Sequence, residues 1–194
     1  KHHAEEPFFQ WLASWAITMT KPSDLGYDDS GFILPPLTIY PHFVRSDYKP
    51  EGQLFFTGLK GIADRSKIRR STIEPRLELI KELVNGSDEQ WIVWVGLDDE
   101  SRMVTEALDG AVEVKGNHSP EYKAECFERF QDGEYRVLVT KARIGGFGMN
   151  FQNASKMAFF GLSDSWETFY QCVRREWRYR QPSAVDVHII LSDA

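Results

Sequence analysis

Short apolar runs alternate with segments of helical periodicity through the second half of the chain, and few folds accommodate that alternation. The runs at 91–95 (WIVWV), 111–114 (AVEV), 137–139 (VLV), 157–160 (MAFF) and 185–191 (VDVHIIL) are too short for ordinary helices and rich in β-branched and aromatic residues. Such runs suit strands of a buried sheet. Between them Leu77, Ile80, Leu83 and Val84 recur at helical spacing before an Asn85-Gly86 stop. Met103, Val104, Ala107 and Leu108 mark a second helix, and a third opens with Ser119 as N-cap and Pro120 at its first position and buries Cys126, Phe127 and Phe130. Strands separated by such helices imply right-handed βαβ units, hence an α/β fold with a mostly parallel sheet and helices on both faces. Ligands of such sheets bind outside the carboxyl ends of the strands. Thr140 stands at one such end.

The first fifty residues lack this regularity. Trp11 to Met19 read as a short apolar helix, but Pro22, Pro35, Pro36, Pro41 and Pro50, with Gly26 and Gly31 at turns, give the character of a connector. Gly58 to Ser71 is a second polar, basic stretch with the look of a mobile loop. The expected division is an irregular connector over 1–71 and one α/β domain over 72–194. A hydrophobic content of 42% fits a folded domain, no apolar run approaches a membrane span, and a cytoplasmic protein is expected. Cys126 and Cys172 have no partners at zinc spacing, so buried free thiols are expected and no metal site. The net charge of -6 opposes indiscriminate binding to nucleic acid. Two basic clusters stand out against it: Arg65, Lys67, Arg69, Arg70 and Arg76, and Arg174, Arg175, Arg178 and Arg180.

Chemistry concentrates between Thr140 and Gln181, where a glycine-rich loop (TKARIGGFGMN) precedes an arginine-studded segment (QCVRREWRYRQ). If 166–181 is one helix, Trp166, Phe169, Tyr170, Val173 and Trp177 share its packed face and Gln171, Arg175 and Arg178 the opposite one. Two guanidiniums three residues apart can reach one polyanion as planar forks of donors. A solvated basic face gives the same pattern. Gly145, Gly146 and Gly148 permit close approach and positive φ. The loop lacks the third glycine of a dinucleotide fingerprint, and no Gly-Lys-Ser/Thr ending of a P-loop occurs anywhere in the chain. Asp98, Asp99 and Glu100 follow an apolar strand as a magnesium-binding acidic motif would, but acids in the first turn of a helix also complement its dipole.

In this order the features resemble the second RecA-like lobe of superfamily 2 helicases and translocases, of the Swi/Snf-like branch and close to helicase-like proteins of phages and prophages. The resemblance covers 72–194 with specific motifs and is looser over 1–71, where PSDLGYDDSGFILPPL looks like the junction leaving a first lobe. Residues 91–96 correspond to motif IV, 114–116 with the helix through Phe130 to the segment that follows it, TKARIGGFGMNFQ to motif V and QCVRREWRYRQ to motif VI. The resemblance implies a RecA-like fold over 72–194, with 1–71 a connector and remnant of the first motor lobe. It implies Arg175 and Arg178 as arginine fingers, Gln171 and Gln181 beside them at the nucleotide, and Gly146, Gly148 and Asn150 as the link between nucleotide and nucleic acid. Thr140 and Lys141, with Lys115 and Gly116, would contact the nucleic-acid backbone. ATP and Mg2+ are the implied cofactors of the complete two-lobe motor, neither held tightly by this chain. DNA, duplex rather than single-stranded, and a first lobe carrying the P-loop and the acidic motif are the implied partners, and the chain alone is not expected to hydrolyse ATP. Arg180 stands where glycine is usual, and Glu176, beside the first finger, has Arg180 or a finger as its expected partner. Two other readings stay open: a non-catalytic nucleic-acid or protein-binding module on the same fold, and a self-sufficient nucleotide enzyme using Asp98 and Asp99.

Overall fold

The computed structural model describes residues 4–46, 68–146, 148–163 and 165–193. They fall into two units, Lys1–Ile33 and Leu34–Ala194.

In the first unit α1 (Glu5–Ala13) has no buried residue. The helix expected at 11–19 therefore lies earlier, with Glu5 and Glu6 in the first turn complementing the helix dipole. Its end is set by Ser14, whose Oγ donates back to the Trp11 carbonyl at 2.6 Å. A 3-10 helix (Pro22–Leu25) follows and stops at Gly26, where φ is 82°.

The second unit is built on a six-stranded sheet. Its strands are β1 (Leu37–Val44), β2 (Trp91–Val95), β3 (Ala111–Val114), β4 (Val137–Lys141), β5 (Lys156–Phe159) and β6 (Val185–Ser192). They are all parallel and run in the order β1-β6-β5-β2-β4-β3. Every residue of β2 and β4 is buried, as the apolar runs 91–95 and 137–139 require of central strands, and β4 ends on the buried polar pair Thr140 and Lys141. The run at 185–191 is the last in sequence but not the edge of the sheet: β1 lies outside it and pairs with it from Leu37↔Val185 to Val44↔Ser192. β1 lies within the stretch expected as connector. Pro41, which has no N–H to donate, is at home on an edge strand, and the mostly exposed side chains of β1 left no apolar run to read.

Side chains alternate between the two faces of the sheet and build two cores. Ile92, Trp94, Leu138, Met157, Phe159 and Val187 pack with Phe127, Phe130, Cys172 and Val173 on one face. Val93, Val95, Val139, Ala158, Phe160 and Ile190 pack with Ile80, Val84 and Val104 on the other. Helices α2 (Ile73–Asn85) and α3 (Asp98–Ala107) cover the second face, while α4 (Pro120–Gln131) and α6 (Trp166–Glu176) cover the first. Ser119 caps α4 as expected, accepting from Tyr122 N at 3.2 Å. Most of the stretch expected as a mobile loop, 58–67, lies outside the described residues; 68–71 are helical.

The arginine helix is shorter than expected. It ends at Glu176, because Trp177 leaves helical geometry (φ -81°, ψ 82°) and its indole Nε1 donates to the Pro35 carbonyl at 2.7 Å. The chain then turns tightly, with Arg178 N on the Glu176 carbonyl and Gln181 N on the Arg178 carbonyl, both at 3.0 Å. The packed stripe is rotated as well: Cys172, Val173 and Glu176 are buried, whereas Trp166 and Tyr170, expected on that face, are exposed.

Candidate functional site

Parallel strands put the segments that follow β2, β3 and β4 on one edge, the carboxyl edge of the sheet. Asp98, Lys115, Gly116, Lys141 and Arg143 line one depression there. Lys141, nearly buried at the end of β4, reaches Asp98 with Nζ–Oδ1 at 2.6 Å. That bond and the lysine charge hold the Asp98 carboxyl below its usual range. Asp98 is thus the partner of a lysine. Lys115 pairs with Glu113 at 2.8 Å, and the Gly116 carbonyl accepts from Lys123 Nζ at 2.7 Å. Thr140, expected beside Lys141 on a backbone, is fully buried, and its Oγ1 donates to the Val114 carbonyl at 3.0 Å, tying β4 to β3.

From β4 the chain enters a short turn of helix, α5 (Ala142–Gly145), and then the glycine loop. A side chain at Gly146 would bring its Cβ to 2.2 Å from the Ala142 carbonyl oxygen and 3.3 Å from Cys172 Sγ, so the loop packs onto α6 only through glycine. Gly148 has φ 76°. After Gly148 the loop meets both arginines. Arg175 donates from Nη1 to the Met149 carbonyl, from Nε to the Gln171 carbonyl and from Nη2 to Gln171 Oε1, each at 3.0 Å. Arg178 donates from Nη1 to Asn150 Oδ1. Phe151 N, in turn, donates to the Arg175 carbonyl at 2.9 Å. Loop and arginines form one connected unit.

Gln171, Arg175 and Arg178, with Tyr170, Arg174 and Tyr179, line an open concavity of 280 Å³. Among the described residues no carboxylate pairs with Arg175 or Arg178. Partial burial, and then the neighbouring Arg178 charge, pull the Arg175 guanidinium below the usual arginine value. Gln181 is turned inward: its Nε2 donates to the Ala154 and Glu176 carbonyls at 2.8 and 3.2 Å.

The two halves of this region lie at different edges of the sheet. α6 starts near the carboxyl ends and runs antiparallel to the strands, so its last turn approaches the amino edge. There the same loop continues to Asn153, whose Nδ2 donates at 3.1 Å to Gln90, the residue before β2. The glycine loop therefore spans the sheet from Lys141 at one edge to the arginines at the other.

Three features were not legible beforehand. Glu100, assigned to a helix dipole, is a fully buried acceptor for two arginines: Arg69 grips it with Nε and Nη2, both at 2.6 Å, and Arg76 adds Nη2 at 3.0 Å. Burial pushes its carboxyl upward, but the bonds and charges of these arginines outweigh that and hold it below the usual value. The only sequence trace was the pair of glycines 96 and 161, where an added Cβ would lie 2.4 and 2.3 Å from Arg69 Nη2. Glu176 neither pairs with Arg180 nor reaches a finger. Its side chain points into the core, fully buried with both oxygens unpartnered among the described residues, and burial raises its carboxyl well above the usual value. Arg180 has φ 71°, the left-handed region that glycine enters freely, which accounts for the glycine usual at this place.

The family model of the helicase conserved C-terminal domain matches residues 75–180. DNA repair and recombination protein RAD26 of Saccharomyces cerevisiae is 24% identical over 115 residues, 59% of this chain and 9% of that protein. The C-terminal part of the Fun30 ATPase domain shares the fold at a TM-score of 0.54 and 19% identity, over 63% of this chain and 41% of that one. This chain thus spans less than half the length of each.

Proposed function

Because this chain belongs to the family of helicase conserved C-terminal domains, we propose that its domain is the second motor lobe of an ATP-dependent DNA helicase or translocase of the Swi/Snf-like branch. The observation that carries this reading is the state of Arg175 and Arg178. Both are held by neutral oxygens of Met149, Gln171 and Asn150, so their position is fixed while their charge is not cancelled. Such a pair suits the outer end of a triphosphate whose other contacts, with magnesium, belong to a P-loop-bearing first lobe. As negative charge moves in the transition state, guanidiniums at that end stabilise it, a contribution of about 10³ to 10⁵ in rate. A glutamine beside them and an open concavity fit that role.

The DNA contact in this reading lies at the carboxyl edge, through Lys115, Gly116, Lys141 and Arg143. Thr140 and Gln181 act there and at the fingers by holding the backbone, since both are buried. The glycine loop, bonded to both arginines and continuous with Lys141, is the mechanical link between track and nucleotide. Duplex DNA as the track, residues 1–71 as connector and remnant of a first lobe, and nearness to phage and prophage members rest on the sequence resemblance. ATP and Mg2+ act in the complete motor. The chain alone, with no P-loop in its sequence, does not hydrolyse ATP.

The test is complementation. Added to a separately produced first lobe, the chain should restore DNA-stimulated ATP hydrolysis and show none by itself. Hydrolysis by the purified chain alone would overturn the reading.

A further inference from the structure

A second cavity, of 340 Å³, opens at the carboxyl edge between the ends of β2, β4 and β5 and the start of α6. Three cations line it, Arg69, Lys141 and Arg143, and no carboxylate does among the described residues; Asp164 lies outside them. In a chain of 29 acidic residues that selection is not the default composition of a surface. The cations differ in availability. Arg69 uses Nε and Nη2 on Glu100, so its position is fixed, and Nη1 has no partner among the described residues. Glu100 is shared with Arg76, which leaves the triad with one net positive charge. The back wall is aromatic: Trp94, Phe159 and Phe169 line the cavity, with Phe159 and Phe169 ring centroids 4.9 Å apart. Ser163, Ser165 and Thr168 add hydroxyls at the rim.

Trp94 is only 2% exposed, whereas Phe169 is partly buried and offers the accessible ring of this wall. Aromatic surface and a fixed guanidinium together describe a ligand with a flat heteroaromatic part and an anionic part. The volume is at the small end for ligand sites, adequate for one nucleotide and not for a stacked pair.

We propose that this cavity receives a single unstacked nucleotide, its base against the Phe169 ring of the aromatic wall and its phosphate at Arg69 and Arg143. The inference rests on the DNA contact assigned above to the same edge and deepens it: the lobe holds one base out of the stack as well as the backbone. Base contact with aromatic side chains is worth about 1–3 kcal/mol per base, so the base should add roughly tenfold or more in affinity over the sugar phosphate.

The experiment follows the Trp94 indole N–H resonance by NMR during titration with deoxyadenosine monophosphate, deoxyribose phosphate and a deoxyadenosine trinucleotide. The expected result is a shift of that resonance by both base-containing ligands, with deoxyribose phosphate binding roughly tenfold more weakly or worse. Tighter binding of the trinucleotide identifies a strand as the source, and equal binding a free nucleotide. Ser163→Phe, which fills the cavity from an exposed position, should remove the shift while the other indole resonances report an intact fold. Equal affinity for deoxyribose phosphate, or a Trp94 resonance unmoved by either base-containing ligand, overturns the proposal. Duplex binding by the unaltered chain, measured in parallel, separates the two readings. If it persists, only the nucleotide pocket fails; if it too is absent, the DNA contact beneath it fails as well.

Discussion

The chain carries two arginine pairs that look alike in sequence and differ in what holds them. Arg69 and Arg76 converge on one carboxylate, Glu100, and Arg76 also lies over the Phe160 ring at 4.4 Å. Arg175 and Arg178 are held by carbonyl and amide oxygens. A carboxylate partner fixes a guanidinium and cancels charge in the same step; neutral acceptors fix it and leave the charge in place. The first pair is suited to locking the 68–76 segment onto the sheet. The second is suited to meeting an anion that arrives from outside. The two pairs differ in the chemistry of their acceptors rather than in their number of arginines, and the first keeps one net positive charge because two guanidiniums share one carboxylate.

This contrast is most severely tested at Glu100. Glu100→Ala leaves two arginines facing each other, one of them buried, and should destabilise the domain by about 3–5 kcal/mol in urea unfolding. Arg175→Ala, which removes only bonds to neutral oxygens, should cost about 1 kcal/mol in the same assay. Equal losses would erase the distinction.

Glu176 sharpens it from the other side, as a carboxylate next to Arg175 in sequence that pairs with neither Arg175 nor Arg178. Glu176→Met should stabilise the domain by about 1–3 kcal/mol at neutral pH, because a buried carboxyl without partners disfavours the fold. Its folded value is raised, so its ionisation opposes folding increasingly as pH climbs above the unfolded carboxylate value, and the gain in the variant should grow over that range. A variant less stable than the parent would show that Glu176 has a partner after all.

A smaller effect is expected at Arg180. Arg180→Gly should stabilise by about 0.5–1 kcal/mol by relieving left-handed backbone strain, with thermal unfolding as the measure. No change would mean that the turn holds that φ without cost.

Glu100 is held below the usual carboxylate value, so acid reaches the first arginine pair only at low pH, and above the carboxylate range it should act through His188. Its Nδ1 lies 3.0 Å from His42 Nε2 across β6 and β1, and burial, then the His42 charge, depress it to about 4. A depressed histidine folds as the neutral form, so stability present above the unfolded value near 6.5 is lost as pH falls toward 4. His188→Phe should flatten the decline of melting temperature across that window, and an unchanged slope would remove His188 as its cause.

How far these arrangements could be read from sequence follows from the range of the forces involved. Buried central strands such as Trp91–Val95 and Val137–Lys141 announce themselves because both faces must be apolar. β1 does not, since its side chains are mostly exposed and its proline looks like a connector. The end of α6 was hidden because helical spacing continues through the arginines, while the residue that stops the helix acts through Pro35, far away in sequence. Glu100 meets Arg69 and Arg76 from sequence separations of 31 and 24, beyond any local pattern. The glycine loop was legible as a loop ahead of the arginines, though not that Met149 and Asn150 in it accept bonds from both of them. The place of Arg180 was legible as a departure from glycine, and its positive φ supplies the reason.

The central claim, that Arg175 and Arg178 bring uncancelled charge to a nucleotide held by another lobe, is tested most directly by single-turnover ATP hydrolysis. The measurement uses a mixture of a P-loop-bearing first lobe, DNA and this chain in its unaltered, Arg175→Ala and Arg178→Ala forms. The account predicts a loss of about 10³- to 10⁵-fold in rate for each variant, with urea midpoints close to the parent. Hydrolysis restored equally by all three chains would contradict it.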